Sequence, residues 1–238
     1  IELSIKYQNS LNNKNRIIIW PETSFEGSIP REKKLLTNIS EKILKNKNTT
    51  LILGLLRTDE KKVFNSLVFL NSNGDIIHNY DKIKLVPFGE YIPFRKYLGA
   101  LTEMLAPKDF TSGKLKINPS IYAFEDIVTL ICYEVLFTNE MVRRLTKNTN
   151  LLINITNDAW FGKTIGPYQH LALAKIKAVE FGLPLARVAN TGVSAYISPY
   201  GETIGRIPLD NKGEKTFYQI PALNNTLYKI YGEYIFVV

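Results

Sequence analysis

A thiol, an amine and a carboxylate held within reach of one another can carry acyl transfer, and this chain offers each in a short segment. Cys132, in LICYEVLF, is the only cysteine among 238 residues. A free cysteine is most often a small buried hydrophobe, so chemistry here needs partners. A nucleophilic sulfur requires a base to take its proton and donors to hold the charge that develops on the attacked carbonyl oxygen. The two histidines are poor bases by their surroundings: neither His78, in a hairpin-like run, nor His170, in a helix-like one, is framed by polar residues that would orient an imidazole. There is no G-x-S-x-G to suggest a serine hydrolase. Carboxylates and lysines at strand ends remain, because open α/β sheets present ligands there. Glu22 follows RIIIWP, Lys82 lies in NYDKIKLVPFGEY, and Cys132 closes DIVTLIC with Tyr133 and Glu134 directly beyond.

The segments between these residues predict the scaffold. RIIIW is a β-branched run closed by Pro21, a buried strand ending at Trp20. Leu35, Leu36, Ile39, Ile43 and Leu44 recur at three- and four-residue spacings, which predicts an amphipathic helix. TTLILGLLR predicts another strand, and VFNSLVFLNSNGDIIHNYDKIKL a hairpin turning at Asn73-Gly74. DIVTLICYE reads as a buried strand running into a turn, NEMVRRLTKN as a helix, and LLINITND as a strand. YQHLALAKIKAVEFG is a helix stopped by Gly182 and Pro184. RVANTGVSAYISPYGETIGRI predicts two strands around a Pro-Tyr-Gly turn. At the start, Ile1, Leu3, Ile5 and Leu11 give only a weak helical pattern. Strands alternating with helices, plus hairpins, predict an α/β domain with mixed sheets covered by helices.

Bulk composition narrows the classes. With 45% hydrophobic and 22% charged residues, and no repeat or linker, residues 1–238 read as a single domain with one core. The net charge is +8, but the lysines are scattered rather than gathered on one element, which argues against a nucleic-acid partner and suits an anionic membrane surface or a solvated shell. One cysteine and two histidines are too few soft ligands for a typical zinc site, so neither a metal nor a cofactor is expected. No run reaches the roughly 18 apolar residues of a bilayer span. The chain opens at Ile1 rather than a methionine and stops in YIFVV, and is expected to be a piece of something longer.

Taken in order, WPE, YDKIKLVPFGEY and ICYE resemble the glutamate, lysine and cysteine segments of the nitrilase (carbon-nitrogen hydrolase) superfamily. The similarity runs from IIIWPET through LVPFGEYIPF and ICYEVLF to NITNDAWFG and ARVANTGVSAYISPYG, and LVPFGEY with NDAWFG points to its apolipoprotein N-acyltransferase branch. The resemblance implies a nitrilase-like αββα sandwich, two mixed β-sheets flanked by helices. It implies a catalytic triad of Glu22, Lys82 and Cys132, supported by Glu90, Tyr133 and Glu134. The implied reaction moves an acyl chain from a phospholipid donor, through a thioester on Cys132, to the N-terminal amine of a diacylglyceryl-cysteine apolipoprotein. Trp160 and Phe161 are expected, by their position in the branch, to line the acyl pocket. Complete enzymes of the branch carry transmembrane helices on both sides of this domain, at the bacterial inner membrane with the domain on its periplasmic face. The chain is therefore expected to lack those spans and its first strand, with YIFVV the start of the closing span.

The residue chemistry suits that scheme. Glu22 is expected to serve as general base, Lys82 as the cation beside thiolate and oxyanion, and Glu90 as the group that orients Lys82. Tyr97, Leu98, Leu101, Met104 and Leu105 fall at helical spacing beside Arg95, Lys96 and Lys108, which reads either as a helix packed on the core or as a lid dipping into a membrane interface. Two other functions fit the same residues: an amidase that hydrolyses small C–N bonds with water as acceptor, and a non-catalytic interaction domain. Glutamate after the Cys-Tyr pair, where soluble relatives often carry aspartate, favours transfer.

Overall fold

The computed structural model describes residues 1–5, 15–25, 27–29, 32–44, 48–98, 109–122, 124–223 and 225–232. Among them, ten strands form two mixed sheets of five. In the first sheet, β1 (Arg16–Ile19) and β2 (Ser28–Ile29) run parallel to the beginning and the end of β3 (Thr49–Asp59). Strands β4 (Lys62–Leu70) and β5 (Ile76–Asp81) continue it antiparallel. In the second, β6 (Asp126–Ile131), β7 (Thr149–Asn157) and β8 (Leu185–Asn190) are parallel neighbours, and β9 (Ser194–Ile197) and β10 (Thr203–Ile207) complete it antiparallel.

Strand alternation decides which layer each residue faces. Ile52, Leu67 and Phe69 of the first sheet meet Ile131, Ile153 and Ile155 of the second in one buried cluster between the sheets. Their chain neighbours point outward. Leu51, Leu53 and Val68 pack with Leu36 and Ile43 of the helix Lys33–Ile43, and Val128, Leu130 and Leu152 with Ala174, Ala178 and Phe181 of the helix Gly166–Phe181. The layers thus run helix, sheet, sheet, helix, as the resemblance implies. Both faces of the central strands are covered, so their sequences are continuous apolar runs. Each fully buried leucine or isoleucine there contributes about 1.5–3 kcal/mol of transfer free energy.

Several local expectations change. The β4–β5 hairpin does not close with two residues: residues 71–75 form a longer loop in which Asn71 Oδ1 accepts from the N–H groups of Asn73 and Asp75, both at 2.9 Å, with Gly74 at φ +79°. The two-residue connection lies instead between β3 and β4, at Glu60-Lys61. The stretch read as two strands after the long helix contains three. RVAN belongs to β8, and a turn at Thr191, φ +51°, separates it from β9. The helix expected over NEMVRRLTKN is Thr138–Val142 only, because Arg144 turns inward to bond Thr129 on β6. Of the segment read as a helix or lid, Arg95–Leu98 is helical, and Leu101, Met104, Leu105 and Lys108 lie outside the described residues, as do Leu11 and YIFVV. Among the described residues no helix is long and apolar enough to cross a membrane.

Candidate active site

Three strand ends converge. Glu22 sits in the turn after β1, Lys82 directly after β5, and Cys132 directly after β6, and all three side chains are buried. Gly54 on β3 makes the first placement possible, since a Cβ there would stand 2.6 Å from Glu22 Cα. Lys82 is held by backbone bonds on both sides: its N–H donates to Asn65 O at 2.8 Å and its carbonyl accepts from Gly113 N–H at 2.8 Å.

The charged groups form one network. Lys82 Nζ lies 2.8 Å from Glu90 Oε2 and 3.9 Å from Glu22 Oε1. The Asn65 amide bridges the two acids, donating to Glu22 Oε1 at 2.7 Å and to Glu90 Oε1 at 2.9 Å. The remaining oxygens accept backbone donors: Asn157 N–H to Glu22 Oε2 at 2.7 Å and Val86 N–H to Glu90 Oε2 at 2.9 Å. Every carboxylate oxygen in the pair therefore has a partner, the condition under which buried charges are tolerated.

Burial raises the Glu22 carboxyl above its ordinary value, against Lys82 and Asn65, which favour the ionised form. For Lys82, burial works to lower the ammonium, but Glu22, Cys132 and Glu90 together hold it above the usual lysine value. Burial pushes the Cys132 thiol up to about 11, with the Glu22 charge adding to the rise and Lys82 and the Thr156 hydroxyl opposing it. At neutral pH the resting sulfur is a thiol beside an ammonium, and its proton must leave during the reaction. Lys82 favours the thiolate, as its charge predicts, without making it the resting form.

Cys132 opens a 3-10 turn, Cys132–Leu136, at φ +53°, a left-handed conformation that costs a non-glycine residue about 1–3 kcal/mol. Two groups hold the bend. Asn154 Nδ2 donates to Cys132 O at 3.2 Å. Glu134 Oε2 accepts from Ile131 N–H at 2.9 Å, while its Oε1 accepts from the N–H groups of Ile83 at 2.7 Å and Lys84 at 3.1 Å and from the Tyr80 hydroxyl at 2.9 Å. One carboxylate thus ties the chain beside Lys82 to the chain beside Cys132, across the two sheets.

The structure brings Glu22, Lys82, Glu90, Cys132 and Glu134 together. Tyr133 stands aside from the charged network, its ring 5.2 Å from His170 and 6.0 Å from Phe161 between centroids. Phe161 is half-buried, whereas Trp160 is 76% exposed and lies over Gly89 in the loop that carries Glu90. Sequence reasoning missed Asn65, which reads as one polar residue inside a strand. It also misjudged His170. That imidazole is buried with Nδ1 2.9 Å from Asp158 Oδ1 and 3.1 Å from an Arg187 guanidinium nitrogen, framed by residues 12 and 17 positions away. The signal was the alternation Asn154, Thr156, Asp158 in LLINITNDAW, three polar residues at period two. His78 packs edge-on against Phe69, and burial lowers it to about 4. Among the described residues no group of three or more His, Cys, Asp or Glu side chains is arranged to hold a metal ion.

Comparison with known proteins agrees with this architecture. Residues 7–226 match the family profile described as carbon-nitrogen hydrolase. The apolipoprotein N-acyltransferase of Rhizobium rhizogenes is 38% identical over 222 residues, which are 89% of this chain and 41% of that protein. The Bradyrhizobium diazoefficiens protein of the same name is 35% identical over 227 residues, 91% of this chain and 42% of its own. The chain thus spans about two fifths of the length of these curated relatives. Among solved structures, an amidase from Nesterenkonia sp. superposes with a TM-score of 0.61 at 18% identity, covering 88% of this chain and 78% of that one. A carbon-nitrogen hydrolase from Helicobacter pylori G27 gives 0.58 at 17% identity, covering 87% and 76%. A fold with these layers, a buried site at its strand ends and a profile match over nearly the whole sequence place this chain in the carbon-nitrogen hydrolase family.

Proposed function

We propose that this chain is the catalytic domain of an apolipoprotein N-acyltransferase, and that Glu22, Lys82 and Cys132 are its catalytic triad. The observation that carries the reading is the meeting of one acid, one ammonium and one thiol in a single buried network. In the first step Glu22 takes the thiol proton as sulfur attacks the ester carbonyl of a phospholipid. The oxyanion is held by the Lys82 ammonium and the N–H of Tyr133, just after the nucleophile. Collapse breaks the carbon–oxygen ester bond, and Glu22 returns its proton to the leaving lysophospholipid alkoxide. The product is a thioester on Cys132. In the second step the amine of a diacylglyceryl-cysteine N-terminus attacks that thioester, Glu22 takes the amine proton, and sulfur leaves and is reprotonated.

Glu90 keeps Lys82 charged and aimed, and Glu134 keeps the two catalytic segments in register. In this reading Trp160, which lies over Gly89, and Phe161, beside the Tyr133 ring, form the approach to the site, and with exposed Phe88 and Phe94, near Glu90 in sequence, they suit an acyl chain at a membrane surface. In this reading the parent protein works at the bacterial inner membrane with this domain on the periplasmic face. The test is incubation of the membrane-embedded protein with phosphatidylethanolamine vesicles, followed by intact-mass analysis. An acyl adduct that is absent from Cys132→Ala supports transfer. Absence of any adduct, with ammonia released from small amides, would assign the triad to hydrolysis instead.

A further inference from the structure

The chemistry above leaves unused a buried polar cluster under the Cys132 turn, on the helix-facing side of β7 and β8. At its centre is Arg187, whose side chain is wholly buried. Arg187 pairs in register with Asn154 across β7 and β8 and donates to its Oδ1 at 2.6 Å. Asn154 in turn donates to the carbonyl oxygens of Cys132 at 3.2 Å and Leu130 at 3.4 Å. The other guanidinium arm donates to Asp158 Oδ2 at 2.7 Å. Asp158 Oδ1 accepts the Thr156 hydroxyl at 3.1 Å, and that hydroxyl is among the groups that favour the ionised form of the Cys132 sulfur. Arg187 Nε has no partner among the described residues, so two arms rather than a full shell of acceptors orient the guanidinium.

We propose that Arg187 is a positioning residue that sets the attack geometry of Cys132, holding its backbone through Asn154 while its other arm fixes Asp158 and the Thr156 hydroxyl beside the sulfur. The planar fork of an arginine suits this task because its two donors leave in fixed directions, one toward each arm, where a lysine offers a single point charge. A buried guanidinium is retained only where its geometry is well satisfied, and here one arm ends on Asn154, which bonds the Cys132 carbonyl, and the other on Asp158 and the His170 ring. The inference deepens the acyl-transfer reading and rests on Cys132 being the nucleophile. The charged and titratable groups around the thiol are Glu22, Lys82 with its partner Glu90, Asp158 with the His170 imidazole 2.9 Å from it, and Arg187 itself.

The test uses the intact membrane protein and two readouts. The first is alkylation of Cys132 by iodoacetamide as a function of pH, which needs no acyl transfer. The second is the kcat and KM of transfer. Arg187→Met is expected to lower kcat about tenfold or more while KM for the phospholipid stays within about twofold, and to move the alkylation profile to higher pH. Arg187→Lys should recover only part of the loss. A folded Arg187→Met protein with an unaltered alkylation profile and kcat overturns the proposal. If that variant does not fold, Thr156→Val carries the test, since it removes one hydroxyl at constant shape: an alkylation profile identical to that of the unsubstituted protein overturns the proposal too. Loss of the acyl-transfer reading would show separately, as transfer that survives Cys132→Ala.

Discussion

Glu90→Gln isolates what the second acid contributes. Glu90 accepts three donors on two oxygens: Asn65 on Oε1, and Val86 N–H and Lys82 on Oε2. A glutamine keeps one acceptor oxygen and turns an NH2 group toward the Asn65 amide, donor against donor. Asn65 can answer by flipping, because its Oδ1 has no partner, but a flip then points a carbonyl oxygen at Glu22 from 2.7 Å. Either way one charge-assisted hydrogen bond is lost, worth about 1.5–3 kcal/mol. Lys82, 1% exposed, is also left with only the more distant Glu22 as counter-charge. Breaking a buried pair on one side costs about 3–5 kcal/mol, so we expect thioester formation to slow by roughly 100-fold or more. The pH profile should move as well. Glu90 raises both Glu22 and Lys82, so removing its charge lowers both, and the active range shifts toward acid on both limbs. The assay is the rate of adduct appearance by intact mass from about pH 4 to 11, a window spanning the ordinary carboxylate and lysine values, with a thermal melt in parallel. A Glu90→Gln protein that acylates within about threefold of the unsubstituted rate, at unchanged pH optimum, refutes the reasoning.

Three further outcomes follow from the same geometry. Because the Cys132 thiol titrates at about 11, its alkylation by iodoacetamide should rise about tenfold per pH unit between neutrality and pH 10, whereas a rate flat across that range would mean a resting thiolate. Gly54→Ala places a methyl group 2.6 Å from Glu22 Cα, so transfer should fall by about tenfold or more while overpacking costs about 1–3 kcal/mol of stability; unchanged transfer would show that Glu22 needs no such close backing. Trp160→Ala, at a 76% exposed position, should leave the melting temperature unchanged and raise KM for the phospholipid, and a lowered melting temperature instead would make Trp160 part of the core.

The layers were legible because the strands are. RIII, TLILGLL and DIVTLI are continuous apolar runs, which is what coverage on both faces demands, and Leu36 and Ile43 mark the helix that covers one side. Glu22 and Cys132 stand just past such runs, whereas Lys82 follows the mixed strand IIHNYD and is marked only by the resemblance of YDKIKLVPFGEY. What stayed hidden depends on pairing across the fold. Asn65 bridges two acids that lie 43 and 25 positions from it, and nothing in FNSLV announces that. Arg187 looks like a strand residue with a solvated head, yet it is buried because Asn154 arrives from β7 and Asp158 from the turn directly after it. The β8–β9 break was missed because a turn at Thr191 carries no proline, and its cue, Gly192, reads as a weak interruption of a longer strand.

Glu134 binds backbone amides from both halves of the sandwich, and under the proposed acyl transfer this restricts how a long fatty chain could enter. Prising the sheets apart to admit it would strip Ile83, Lys84 and Ile131 of their shared acceptor and unbend the nucleophile in the same motion. Under the proposed acyl transfer, the chain would enter from the rim, past loops such as those bearing Phe88 and Trp160, with the two sheets still joined.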